Sequence, residues 1–228
     1  MKILAVDTAL GACSVALLQG DQLLAHIFEP MDRGHAERLA PMVDEAMKKA
    51  GMDFSSLDRL AVTTGPGTFT GQRVGLAFMR GLRLALKIPL IGVTTLEAMA
   101  ASALGETEIF RLSATQSRKQ AAAIHDARRE EAYLSLLAGD HLVLDPVVMP
   151  FSEAIQCIRA FGPCVLAGTG APQAATQLGS EFQLTDIRQP DALWVAKLSQ
   201  VRQAPNDAPG PLYLRAPDAK LPGGKSLA

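Results

Sequence analysis

The tightest constraint on this chain lies between Arg59 and Gly92, in the run RLAVTTGPGTFTGQRVGLAFMRGLRLALKIPLIG. Leu60 to Thr63 reads as a buried strand, Thr64 to Gly71 as a glycine-rich turn, Gln72 to Lys87 as a helix and Leu90 to Val93 as a second buried strand. Such a βαβ unit commits the chain to an α/β fold, with helices packed on a sheet. Gly65, Gly67 and Gly71 can take backbone angles closed to other residues and let a ligand or a second backbone come close. A turn that opens a helix also points amide N–H groups forward, a setting that suits an anion. The spacing fits no standard phosphate motif, however. It is one residue too long for G-x-G-x-x-G, and Gly71 is followed by Gln72 where a P-loop needs Lys. A phosphate turn and an ordinary tight connection both stay open.

The helix after the turn is apolar on more than one side. Arg73, Arg80, Arg83 and Lys87 share a narrow sector at ~100° per residue, with Val74, Phe78, Leu82, Ala85 and Leu86 opposite. Leu76, Met79 and Leu84 widen the apolar arc. Gly75 and Gly81 each cost ~1 kcal/mol against Ala in a helix interior, a cost that close helix–helix approach would offset. The pattern calls for cover beyond the helix's own sheet, from the same domain or from a partner protein.

The flanking sequence repeats one plan twice. Ile3 to Val6, Cys13 to Leu18 and Gln22 to Phe28 read as an antiparallel meander. Asp7-Thr8 stands at its first tip, near Ser14, where it could hold a metal-bound phosphate or serve as an ordinary turn aspartate. A helix follows from His35 to Ala50, with Leu39, Met42, Val43, Ala46 and Met47 at helical spacing. Pro41 would kink that helix if it lay deeper than the first turn. A Met-rich stripe suits either a core or a surface that packs on another protein. After the central unit, Thr94 to Leu104 reads as a short helix and Gly105 to Gln120 as a polar boundary, dividing the chain into 1–104 and 105–228.

The second unit carries strands at Ala121 to Ala127, Ala132 to Gly139 and His141 to Met149, a helix at Ser152 to Phe161, a strand at Cys164 to Gly170 and a helix near Pro172 to Leu178. Gly168-Thr169-Gly170 follows its strand as a nucleotide-binding turn would, although Gln173 stands where a third glycine belongs, so Gly168 and Gly170 join Asp7, Thr8, Gly65 and Gly67 as candidate phosphate contacts. Asp126, Arg128, Arg129 and Glu131 read as a charged hairpin rim. The tail from Ala204 is rich in Pro, Gly and Lys, and its Gly224-Lys225-Ser226 lacks the first P-loop glycine.

Composition narrows the chemistry. A formal net charge of -1 provides no global field for nucleic acid, so any RNA contact must be local or borrowed from a partner. Cys13, Cys157 and Cys164 are odd in number and widely spaced, as reduced thiols of a cytoplasmic protein would be. The apolar N-terminus alternates like strands rather than reading as a signal peptide, and no run is long enough for a membrane span. No His pair at metal spacing and no nucleophile elbow is present. Two βββαβα halves with a tip aspartate and a glycine turn suggest the actin-like, sugar-kinase and Hsp70 fold, in which a nucleotide lies between the halves.

Several blocks taken in order are similar to the bacterial TsaB (YeaZ) family: ILAVDT with CSVAL, GHAERLAPMVDEAM, TTGPGTFTGQRVGLAFMRGLRLAL, PLIGVTTLEAMA, IHDARREEAY and LAGTGAP. The resemblance implies a non-catalytic subunit that pairs with the catalytic paralogue TsaD, and with the ATPase TsaE, to place a threonylcarbamoyl group on an adenosine beside the tRNA anticodon. It implies no cofactor of the chain's own, with ATP or ADP at the interface of the complex, and tRNA reached only through that complex. In TsaD-like proteins the segment matching GVTTLEAM carries two metal-binding histidines, where this chain has Thr95 and Met99, which cannot replace an imidazole pair. The resemblance also implies a partner face built from the two helices that carry Leu39, Met42, Val43, Met47, Gly75, Leu76, Met79, Arg80 and Arg83, and a homodimer when the partner is absent. An independent ATPase or small-molecule kinase of the same fold is the alternative, and a peptidase a more distant one.

Overall fold

The computed structural model describes residues 1–109 and 120–215. Among them, β1 (Lys2–Asp7), β2 (Ala12–Gln19) and β3 (Gln22–Pro30) form the expected antiparallel meander, and β4 (Arg59–Thr63) and β5 (Leu90–Val93) continue the sheet in parallel, giving the order β3-β2-β1-β4-β5. β6 (Gln120–Asp126), β7 (Glu131–Ala138), β8 (His141–Pro150), β9 (Val165–Ala167) and β10 (Gln183–Leu184) repeat the plan as β8-β7-β6-β9-β10. This doubled sheet is the actin-like architecture that the sequence pattern anticipates.

The strands are apolar on both faces because each sheet is covered on both. In β1, Leu4 and Val6 enter a core with α1 (His35–Ala50) and α2 (Phe69–Leu86). Ile3 and Ala5 face the other way, onto α6 (Ala192–Gln200). In β6, Ile124 and Ala122 face α4 (Phe151–Phe161) and α5 (Ala171–Gln177), while Ala121 and Ala123 face α3 (Thr95–Ile109). The last helix of each half thus covers the sheet of the other.

Where those two helices meet, Gly105 lies inside α3, and a Cβ on it would stand 1.8 Å from the Trp194 ring of α6. The helix expected to stop at Leu104 therefore runs on to Ile109, because Gly105 is needed for packing and does not end it. Residues 110–119 of the expected polar boundary, and the tail from 216 with Gly224-Lys225-Ser226, lie outside the described residues.

α6 is an element the sequence reading did not anticipate. Asp191 caps it by accepting from the Leu193 amide at 2.8 Å, and Ala192, Val195, Ala196 and Ser199 recur at helical spacing on its buried face. The amide of Ala192 also donates to Ser14 Oγ. Asp191 further bonds His26 at 2.8 Å, and that bond raises the imidazole pKa. α1 continues through Pro41 and closes on Gly51 in the left-handed region, whose amide returns to Lys48. All three cysteines are free, and burial pushes the Cys13 and Cys164 thiols up to about 12. Among the described residues no helix is long and apolar enough to cross a membrane.

Candidate functional site

A cleft of about 520 Å³ opens between the halves, walled by Pro66 to Phe69 and Gln72 on one side, His125 to Arg128 and Tyr133 on the other, and Leu212 to Arg215 along its edge. The first wall is the glycine turn, and its glycines serve packing. A Cβ on Gly67 would stand 2.3 Å from the Ala9 carbonyl oxygen, and one on Gly71 would stand 2.2 Å from that of Thr8. The turn lies flat on the β1 tip, held by the Thr68 amide donating to Ala9 O at 2.8 Å. α2 begins three residues earlier than the sequence pattern places it, because Thr68 caps it: Thr68 Oγ1 accepts from the Gly71 amide. The Gly71 amide is thereby occupied within the chain. Gly65, at φ 112, is closed in by Gln72 Oε1 and Leu212 O.

Asp7 and Thr8, expected at an open phosphate tip, are buried. Thr8 Oγ1 donates to Gly71 O at 2.7 Å and accepts from the Gly75 amide at 3.0 Å, so it stitches β1 to α2. Asp7 Oδ1 accepts from Thr63 Oγ1 at 2.6 Å and from the Ala9 amide, while Oδ2 has no partner. Burial in this setting pushes the Asp7 carboxyl up to about 7, against the two hydrogen bonds that pull it down.

The second wall has the same logic with different chemistry. Gly168, at φ 102, would place a Cβ 2.2 Å from Ile124 O, and the amides of Gly168 and Gly170 donate to Ile187 O and Ile124 O. Gly168 and Gly170 thus join the sheet and do not line the cleft. Between them, Thr169 Oγ1 accepts from the Asp126 amide and lies 3.1 Å from His125 Nδ1. Burial drives the His125 pKa down to about 4 and keeps the ring neutral. Next to it, Arg128, Arg129 and Glu130 all sit at positive φ, between 54 and 63. Non-glycine residues resist that conformation by ~1–2 kcal/mol each. Arg215 holds the turn in place, donating to Ala127 O at 2.8 Å and pairing with Glu131.

Arg215 belongs to a strap that sequence reasoning missed. From Asn206 the C-terminal segment runs along α2: Arg83 donates to Asn206 O, Arg80 to Pro209 O, and the Leu212 amide to Thr64 O. Arg73 Nε donates to the Tyr213 hydroxyl at 2.8 Å. The basic sector of α2 therefore holds carbonyl groups of its own chain. The only sequence sign was PLYLR, an apolar and aromatic run inside a Pro/Gly-rich tail.

The expected partner face needs a correction of residues. Leu39, Met42, Val43, Met47, Leu76 and Met79 are buried in the chain's own core against the first sheet. Gly75 is small because a Cβ there would stand 2.7 Å from Thr8 Oγ1. A helical stripe cannot be assigned from spacing alone to the face that meets the chain's own sheet or to the one that meets a neighbour. The outward face of α2 is a different set: Ala77, Gly81, Leu84 and Ala85 are exposed, with Val74 and Phe78 half-buried beside them. Leu84 is 73% exposed, and among the described residues a Cβ on Gly81 would meet nothing within 4 Å.

Comparison with known proteins agrees with this architecture. A family model described as TsaD, tRNA N6-adenosine threonylcarbamoyltransferase, matches residues 22–150. The Escherichia coli protein TsaB, a tRNA threonylcarbamoyladenosine biosynthesis protein, is 37% identical over 81% of this chain and 78% of its own length. Its Haemophilus influenzae namesake is 34% identical over 98% of both. The chain belongs to the TsaB family. A crystal structure from Pseudomonas aeruginosa, of a protein similar to the peptidase YeaZ, superposes with a TM-score of 0.74 at 30% identity, covering 94% of this chain and 99% of that one. A second Pseudomonas aeruginosa structure, YeaZ, gives 0.72 at 31% identity.

Within this TsaB-family fold, Thr95 and Met99 are turned inward. Thr95 Oγ1 donates to Pro66 O at 2.5 Å, and Met99 is buried among α3 and β6 side chains. Among the described residues no group of three or more His, Cys, Asp or Glu could hold a metal ion.

Proposed function

We propose that this chain is the non-catalytic, pairing subunit of the apparatus that makes tRNA threonylcarbamoyladenosine. Membership of the TsaB family carries a role in that biosynthesis, alongside a TsaD-like partner in a tRNA-modification complex. The finer reading is that the chain docks α2, with α1 beside it, against equivalent helices of a TsaD-type catalytic paralogue, that a TsaE-type ATPase joins the pair, and that the assembly works in the cytoplasm. The observation that carries it is the outward face of α2. Ala77, Gly81, Leu84 and Ala85 are apolar or small and open, and the mid-helix Gly81 has no neighbour among the described residues to explain it. Small residues let a second helix come close, and an ordinary stable interface needs only ~800 Å² per partner. Without the paralogue, the same face would join two copies of the chain.

Two features favour a supporting role over independent turnover. Asp7 and Thr8 are sealed beneath the glycine turn, and Thr68 occupies the Gly71 amide. ATP or ADP therefore fits the interface of the complex better than a site within this chain.

Size-exclusion chromatography with light scattering, on the chain alone and mixed with a TsaD-type protein and ATP, tests the reading. A mixed pair is expected, and Leu84→Glu should abolish it with little change in thermal stability, because the side chain is exposed. Pairing that survives Leu84→Glu removes this face from the interface. ATP hydrolysis by the lone chain would favour the kinase alternative.

A further inference from the structure

Two exposed aromatic rings and an exposed cation meet at the mouth of the cleft. Phe69 is 51% exposed and Tyr213 is 44% exposed, yet their rings stack at 5.8 Å with planes 25° apart. The Arg73 guanidinium lies 3.5 Å over the Phe69 ring. Across the mouth, Arg128 is exposed on a strained left-handed turn and carries no carboxylate partner among the described residues. Its own amide donates to Asp126 Oδ1, which also lines the cleft. Deeper in, Gln72 is 2% exposed and lines the same cavity, and its buried Oε1 accepts no hydrogen bond. That oxygen is closed in against Gly65 and is not open to a ligand.

We propose that this mouth takes one unpaired base of single-stranded RNA, with the base stacked on the Phe69–Tyr213 platform and an adjacent phosphate facing Arg128. Aromatic platforms flanked by guanidinium groups bind single strands in this way, because every base offers a π face. The cavity, about 520 Å³, has the volume of clefts that hold a ligand of nucleoside size. A free nucleoside polyphosphate suits the site less well: Arg215 is paired with Glu131, and Arg73 is engaged with the Phe69 ring and the Tyr213 hydroxyl, which leaves Arg128 to match the one charge of a phosphodiester. With net charge near zero, the contact is local and positions the strand within a larger complex. The proposal rests on the tRNA-modification reading and adds a direct RNA contact by this subunit.

The test is fluorescence anisotropy of the full chain with a fluorescein-labelled, unstructured heptaribonucleotide of A and C, at low and moderate salt. Binding that weakens with salt is expected, with Phe69→Ala and Arg128→Glu each lowering affinity about tenfold. Both side chains are exposed, so melting temperatures should not move, and light scattering with a TsaD-type protein should show pairing intact. Absence of RNA binding, or equal binding by both variants, overturns the proposal and leaves the pairing reading standing. Displacement of the RNA by AMP overturns it in favour of a free-nucleotide site. Loss of pairing alongside variant-sensitive RNA binding would sink only the pairing reading.

Discussion

The two halves share a strand order but treat the tip of their first hairpin in opposite ways. In the first half, Asp7 and Thr8 are buried beneath the glycine turn and α2 grows directly from it. In the second half, Asp126 to Glu130 stay largely exposed in a left-handed turn, held from outside by Arg215. The helices differ in step: α2 has 18 residues and α5 has 7. One copy of the plan became a sealed platform with a long outward helix, and the other kept an open rim on the cleft. Duplicated topology therefore does not duplicate chemistry. What each tip can bind depends on whether the following turn lies on it.

The sharpest way to break that comparison is to force the turns off their sheets. Gly71→Val in the first half and Gly168→Ala in the second each drive a side-chain atom into a backbone oxygen 2.2 Å away. Each should cost ~3 kcal/mol or more in urea or thermal unfolding. If either variant kept full stability and lost only a ligand, that turn would be a binding loop after all.

A smaller contrast lies in titration. Each half keeps one group neutral at its tip, Asp7 with a folded pKa of about 7 and His125 with one of about 4. The folded Asp7 lies above its unfolded value of 3.8, so its contribution is fullest below that value and is lost as pH rises through about 7. The folded His125 lies below 6.5, so its contribution is full above 6.5 and is lost as pH falls toward about 4. Between those values the two slopes oppose each other at up to ~1.4 kcal/mol per pH unit. Relative to wild type, Asp7→Asn should gain stability with rising pH and His125→Gln should lose it, a difference of ~2–3 kcal/mol between pH 4 and 6.5 in denaturant titrations. Parallel curves for wild type and both variants would mean that neither tip is held neutral.

The mildest change sharpens the contrast between inner and outer faces of α2. Gly81→Ala meets open space and should stabilise the lone chain by ~1 kcal/mol, whereas Gly75, packed on Thr8, should tolerate no such change. Destabilisation by Gly81→Ala would show that the outer face is not free in the isolated chain.

Much of the fold was legible in the sequence because it rests on period and punctuation. The meander of β1 to β3, the extent of α1 and the strands β4 and β5 follow from apolar runs broken by Gly, Asp and Pro, which are local properties. So does the doubled plan. Decisions that depend on distant residues were not legible. Spacing marked Met42, Leu76 and Met79 as apolar but could not say that their own sheet covers them. Glycines in a turn signalled close approach, and only the fold showed that Thr8, Ala9 and Ile124 are what approaches. α3 and α6 each cover the sheet of the other half, and a tail that looked like loose linker lines the cleft with Tyr213 and Arg215. Periodicity encodes which residues must leave water; what they meet there is set by contacts between segments up to 178 positions apart, as between Ser14 and Ala192.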